Sequence, residues 1–149
     1  MTTMQDRLKD EKKQAMRNRE KDRLGVIRLI MAAIKQKEVD ERIVLDDEQV
    51  IVVLDKMLKQ RRESIKQYRE AGREELAEVE EAEILVIQYF LPQALTDDEI
   101  SDMVQSAIAD CSASSIKDMG KVMGILKPAM LGRADMSIVS VKIKAMLTA

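Results

Sequence analysis

Apolar positions along the first ninety residues recur three and four apart, the repeat of a helix that buries one face. Leu8, Ala15 and Met16 mark one face of a polar first helix, opened by Thr3 and Asp6 and ending near Arg19. A second helix, over about residues 21–38, sets Leu24, Ile27, Met31 and Ile34 on one side with Ile30 beside them. Asp46 and Gln49 read as a capping box. From there Val50, Val53, Leu54, Met57, Leu58, Ile65 and Tyr68 keep the helical repeat until Gly72 supplies a stop, which predicts the longest helix of the chain. A fourth, from about Arg73 to Phe90, ends at Leu91-Pro92, because a proline steers the residue before it out of the helical region. Four such helices predict an antiparallel bundle.

Beyond Pro92 the pieces shorten. Thr96 with Glu99 is another capping box, opening a helix through Ile100, Met103, Val104, Ala107, Ile108 and Cys111. Ser115 to about Pro128 carries Met119, Val122, Met123 and Leu126. Gly132-Arg133-Ala134-Asp135 is a turn, and Asp135 caps a last helix holding Val139, Ile143 and Leu147. The expected fold is therefore all-α: a four-helix bundle over residues 3–92 and a three-helix module over 95–149, joined through Pro92 to Leu95.

Composition sharpens this. Aromatics are 2% of the 149 residues and methionines number eleven, so a 46% apolar content must fill its core with Leu, Ile, Val, Met and Ala, which suit helix-on-helix packing. The net charge of -2 hides a segregation. Residues 117–149 hold Lys117, Lys121, Lys127, Arg133, Lys142 and Lys144 against only Asp118 and Asp135, whereas Glu74, Glu75, Glu78, Glu80, Glu81 and Glu83 crowd the fourth helix. That acidic run reads as a solvated face, as do Lys56, Lys59, Arg61, Arg62 and Lys66 among the acids of the third. The N-terminal residues lack the apolar core of a signal peptide, and no apolar run approaches the roughly 20 residues of a membrane span. A cytoplasmic protein with no membrane association is the expectation.

The chain contains no histidine, which removes the commonest general base, the commonest zinc ligand and every Ser-His or Cys-His pair. Neither G-x-x-x-x-G-K-[ST] nor G-x-G-x-x-G occurs. Cys111, the single cysteine, is in register with the apolar face of its helix and is expected as a buried core thiol. No catalytic residue, metal or cofactor is expected. What stands out is Lys117-Asp118-Met119-Gly120-Lys121-Val122-Met123-Gly124. Glycine inside a helix costs roughly 1 kcal/mol relative to alanine, so Gly120 and Gly124, four apart on one face, call for a close approach. A neighbouring helix of the module is the first expectation; a sugar-phosphate backbone flanked by Lys121, Lys127 and Arg133 is the second.

Five segments in order complete the reading: Leu24-Gly25-Val26-Ile27-Arg28-Leu29-Ile30; Lys59-Gln60-Arg61-Arg62-Glu63-Ser64, followed by Tyr68 and Ala71-Gly72-Arg73; Glu83-Ile84 leading to Tyr89-Phe90-Leu91-Pro92; Asp118-Met119-Gly120-Lys121-Val122-Met123; and Gly132-Arg133-Ala134-Asp135. This set resembles the GatB/YqeY family over nearly the whole chain. The resemblance implies that family's multihelical fold, in a free-standing version of the tail of the B subunit of tRNA-dependent amidotransferase. That enzyme is a carbon–nitrogen ligase with glutamine as amido donor, its kinase and amidase sites lie in other parts, and its tail helps to hold tRNA. The implied function is a non-catalytic tRNA-binding accessory domain, with tRNA as partner and a tRNA-processing or aminoacyl-tRNA enzyme as a further one. Lys121 and Arg133 match the family's motifs; Lys117, Lys127, Lys142 and Lys144 join them on local charge. Met136 departs from the family pattern, where a glycine often follows the Asp. The rival is a helical protein–protein interaction module without RNA binding, docking through the Gly120/Gly124 face or the acidic helix.

Overall fold

Three helix starts carry the reciprocal cap written in their sequences. Asp6 N–H donates to Thr3 Oγ1 at 3.1 Å and Thr3 N–H to Asp6 Oδ2 at 3.2 Å. Gln49 and Asp46 exchange the same pair at 2.9 Å each, and Glu99 and Thr96 at 3.1 and 3.2 Å. Each cap is worth about 1 kcal/mol. The computed structural model describes residues 2–148. They form α1 (Met4–Arg17), α2 (Lys21–Glu41), α3 (Asp47–Glu70), α4 (Glu74–Tyr89), α5 (Asp97–Asp110), a 3-10 turn (Ile116–Asp118), α6 (Met119–Met130) and α7 (Met136–Thr148), with no strand among the described residues. The fold is all-α, and α3, at 24 residues, is the longest helix. The chain divides into two compact units, one up to Pro92 and one from Gln93.

Helix ends follow a second rule. After α1, Glu20 N–H reaches the Ala15 carbonyl and Arg19 N–H the Met16 carbonyl; α3 ends likewise at Gly72-Arg73 and α5 at Ser112-Ala113. This crossed pair needs one residue in the left-handed region, which glycine supplies most cheaply. Gly72 does so after α3 (φ +73), but Arg19 (φ 56) and Ser112 (φ 53) stand there after α1 and α5, and Arg42 (φ 55) closes α2. A left-handed residue with a side chain costs roughly 1 kcal/mol. Ser112→Gly should therefore stabilise the second unit by about 1 kcal/mol in urea denaturation; an unchanged or lower midpoint would mean that the serine side chain offsets its own backbone strain.

In the first unit Leu8, Ile27, Ile30, Leu54, Ile87 and Phe90 are fully buried. Ile30, expected beside the apolar side of α2, is fully buried, whereas Leu24 and Met31 are only partly covered; Met16, expected on the face of Leu8 and Ala15, is 51% exposed. Arg61 departs from the expected solvated face: its Nε donates to Glu83 at 3.1 Å and lies 3.9 Å from Glu80, and all three side chains are largely covered. Burial first, then Glu83, holds the Glu80 carboxyl above the usual carboxylate range, against the pull of Arg61. Arg69 binds Glu74 and Glu81, and Arg73 binds Glu75. So the acidic run of α4 is in good part a seam with α3 and only its outer members are a solvated face.

The second unit encloses Ile100, Val104, Ala107, Val122, Leu126, Met130, Val139 and Ile143. Cys111 packs against this core only half-buried, as the residue ending α5. Pro128 does not stop α6, which continues to Met130. Having no N–H, it leaves the Gly124 carbonyl without its helical donor.

Candidate nucleic-acid interface

On α6 the buried set Val122, Leu126 and Met130 fixes which side faces inward. The opposite side is then given by the helical repeat: Gly120, Lys121, Gly124, Ile125 and Pro128, all exposed, with Lys127 on its flank and Lys117 one turn earlier in the 3-10 segment, both exposed as well. A Cβ built on Gly120 or on Gly124 would meet nothing within 4 Å. This corrects the first expectation for the two glycines. No neighbouring helix approaches them; their bare backbone looks into solvent.

The lysines around them are available. Lys121 Nζ sits 3.7 Å from Asp118 Oδ1, yet its side chain is 68% exposed. Asp118 is shared: its Oδ2 accepts from Ser114 N–H at 2.9 Å and Ser115 N–H at 3.3 Å while Oδ1 faces Lys121, and the two N–H donors, with Lys121 after them, hold its carboxyl below the usual range. That carboxylate caps the turn that starts α6 and so sets where Lys117 and Lys121 stand.

The other three predicted cations are placed differently. Arg133 is half-buried: its Nε donates to the Gln93 carbonyl at 3.2 Å, and its own carbonyl accepts from Leu95 N–H at 2.8 Å. Next to it Gly132 turns the chain at φ +72. Gly132-Arg133 is therefore a buckle between the start of the unit and the α6–α7 corner. Lys142 Nζ donates to Ser101 Oγ at 3.1 Å and lies 3.4 Å from the Asp97 carbonyl, tying α7 to the first turn of α5. Lys144 is exposed on α7. Lys117 in the 3-10 turn and Lys121 and Lys127 on α6 thus follow one another, while Arg133 and Lys142 serve the unit's internal geometry.

Two features of this face went unread in the sequence. Ile125 (41% exposed) and Ile116 (44% exposed) put apolar surface among the lysines, and Pro128 interrupts the hydrogen-bond ladder of α6 at Gly124. Ile125 breaks the register of Val122, Leu126 and Met130, and that was the available signal. Among the described residues no group of three or more His, Cys, Asp or Glu is arranged to hold a metal ion, and no helix is long and apolar enough to cross a membrane.

An all-helical protein with two separate cores, whose second unit displays a glycine-bared, lysine-flanked helix, is the class that these observations define. The chain belongs to the YqeY family, described as Yqey-like protein, whose family model matches residues 5–147. It is 32% identical over 146 residues to a protein of Pyrenophora tritici-repentis named altered inheritance of mitochondria protein 41, mitochondrial, covering 96% of this chain and 80% of that one. A protein of the same name from Vanderwaltozyma polyspora is 36% identical over 85 residues, 56% of this chain and 46% of its own. An uncharacterized Schizosaccharomyces pombe protein is 34% identical over 79 residues, 53% of this chain and 64% of its own.

Proposed function

We propose that this protein is a non-catalytic tRNA-binding accessory domain that grips the sugar-phosphate backbone with the outer face of α6, in the cytoplasm and without membrane contact. One observation carries the reading: Gly120 in the first turn of α6 and Gly124 in the second leave open space where a side chain would be, between Lys117, Lys121 and Lys127. Helix propensity opposes glycine at position 124, and no group of the fold fills the space beside either glycine, which supports an outside backbone as what approaches them. Lysines supply the charge that phosphates need. The resemblance to the amidotransferase tail points to tRNA among polyanions, and to a tRNA-processing or aminoacyl-tRNA enzyme as a second partner. Without a histidine or a nucleotide loop, any amidation chemistry belongs to that partner.

The test is a titration of labelled tRNA with the full chain at low and moderate salt. Binding should weaken steeply as salt rises, and Lys117→Gln with Lys121→Gln and Lys127→Gln should lower affinity about tenfold and flatten the salt dependence. No binding at either salt, or binding untouched by the triple change, would remove the proposal. Arg133 is a poor probe, because its loss opens the buckle to Gln93.

A second reading has its own observation. Between α2 and α4 lies an apolar groove of about 600 Å³, lined by Gly25, Leu29, Val79, Ala82 and Val86. It is a more suitable seat for a protein helix than the acidic run beside it, whose carboxylates are largely taken by α3. A protein partner recovered after nuclease treatment by the wild type and not by Val79→Glu, with no tRNA in the untreated sample, would favour this reading over RNA.

A further inference from the structure

The first unit carries its own concentration of positive charge, at the corner where α1 passes into α2. Residues 12–21 hold Lys12, Lys13, Arg17, Arg19 and Lys21 against a single acid, Glu20. Lys13, Arg17, Arg19 and Lys21 are exposed. Of the nearby carboxylates, Glu20 accepts from the Asn18 amide at 3.3 Å and Glu11 takes Arg23 and the Tyr89 hydroxyl at 3.1 Å each, while Asp10 and Asp22 stand exposed beside the cluster; over residues 9–23 seven cations still face four acids. The contrast with α3 is sharp, because there Arg61 and Arg69 both end on α4 carboxylates.

The geometry is that of a ridge. Lys9, Lys13 and Arg17 follow one another four residues apart, about 6 Å per step along the axis, on the side of α1 away from the buried Leu8 and Ala15. Arg19 extends it around the corner in the left-handed conformation, a position where glycine is the favoured residue and a cation stands instead. That conformation is what the crossed hydrogen-bond pair ending α1 requires, and it leaves the Arg19 side chain exposed at the corner.

We infer that the α1–α2 corner is a second RNA-backbone contact, built by the N-terminal unit from Lys13, Arg17, Arg19 and Lys21, so that each unit supplies its own phosphate grip. The inference rests on the tRNA reading of the second unit and extends it to the first. An anionic membrane is the competing polyanion, and the structure disfavours it. A helix that lies on a bilayer needs a free apolar face, whereas α1 has spent Leu8 and Ala15 in the bundle and shows only Met16. Charge alone gives a bilayer only weak, reversible attraction, roughly 1 kcal/mol per cation near an anionic surface, whereas phosphate contact supplies essentially all of non-specific nucleic-acid binding.

The experiment measures the full chain against an unmodified tRNA transcript across a salt series, with Lys13→Gln/Arg17→Gln/Lys21→Gln beside the triple change on α6. The corner variant should keep its melting temperature, bind about tenfold more weakly and lower the salt slope by roughly two to three. Arg19→Gly separates charge from architecture: it should raise the melting temperature while weakening binding, whereas a merely structural residue would move both the same way. Wild-type binding left unchanged by the corner variant overturns this inference and leaves the α6 grip standing. Loss with the corner variant and none with the α6 variant upholds the corner and overturns the α6 site. No RNA binding by the wild type overturns both. Corner-dependent binding to phosphatidylserine vesicles, with RNA affinity untouched, overturns the inference in favour of a membrane.

Discussion

Phe90→Ala should destabilise the N-terminal unit by about 4 kcal/mol, the cost of losing a large buried ring and leaving a cavity behind. Phe90 is the only phenylalanine in the chain and is 1% exposed. Its ring meets Tyr89 edge-on, with centroids 5.2 Å apart and planes at 86°. Arg7 lies 5.6 Å from both ring centroids and Arg23 4.5 Å over Tyr89, so two guanidiniums from α1 and α2 close on the end of α4. Glu11 locks the arrangement by accepting from both Arg23 and the Tyr89 hydroxyl. Domains of this size have about 5–15 kcal/mol in all, so most of the unit's margin is at stake. The readout is clean because both tyrosines, Tyr68 and Tyr89, lie before Pro92. Tyrosine fluorescence in urea should show an early midpoint, while circular dichroism keeps a later transition from the second unit. A fluorescence midpoint equal to the wild type's would mean that the rest of the bundle holds α4 without this corner.

Local rules were legible in the sequence and long-range commitments were not. The capping boxes of α3 and α5, the start of α1 at Thr3 and Asp6, the long α3 and the stop at Gly72 each depend on residues within a few positions of one another, so spacing alone declares them. Arg61, Arg133 and Lys142 show the other case. Their residue type announced a cation, but their partners are Glu83, the Gln93 carbonyl and Ser101, reached only after the chain has folded back, and a backbone carbonyl leaves no trace in sequence. Ion pairing along α3 and α4 was hidden for the same reason, since interleaved charges look alike whether they face water or each other. The left-handed Arg19, Arg42 and Ser112 were missed because that conformation is ordinarily announced by glycine.

The family's recurring segments sort themselves by this test. Tyr89-Phe90-Leu91-Pro92, Arg61 with Glu83, and Gly132-Arg133 all find their reason inside the fold, as an aromatic corner, a seam and a buckle. Gly120-Lys121 does not. Its neighbours Val122 and Met123 pack inward, while the glycine and the lysine have no inward contact that their identity serves.

Gly120→Ala with Gly124→Ala should therefore separate stability from function. Each alanine is accommodated, since α6 is helical at both positions and the added Cβ meets nothing within 4 Å. Alanine exceeds glycine in a helix interior by about 0.8–1 kcal/mol and narrows the unfolded ensemble, so the pair should stabilise the second unit by about 1 kcal/mol, most of it from position 124, because Gly120 lies in the first turn. Circular dichroism in urea would show this as a later midpoint for the transition that tyrosine fluorescence does not follow. The same two methyl groups stand where a phosphate or ribose would press against bare backbone, so tRNA affinity should fall, and fall at all salt concentrations alike, because no charge has been removed. That signature differs from the lysine variants, which flatten the salt dependence. A stabilised variant that binds tRNA as tightly as the wild type would show that α6 presents its lysines without close approach, and a destabilised one would mean that the glycines serve the unit itself.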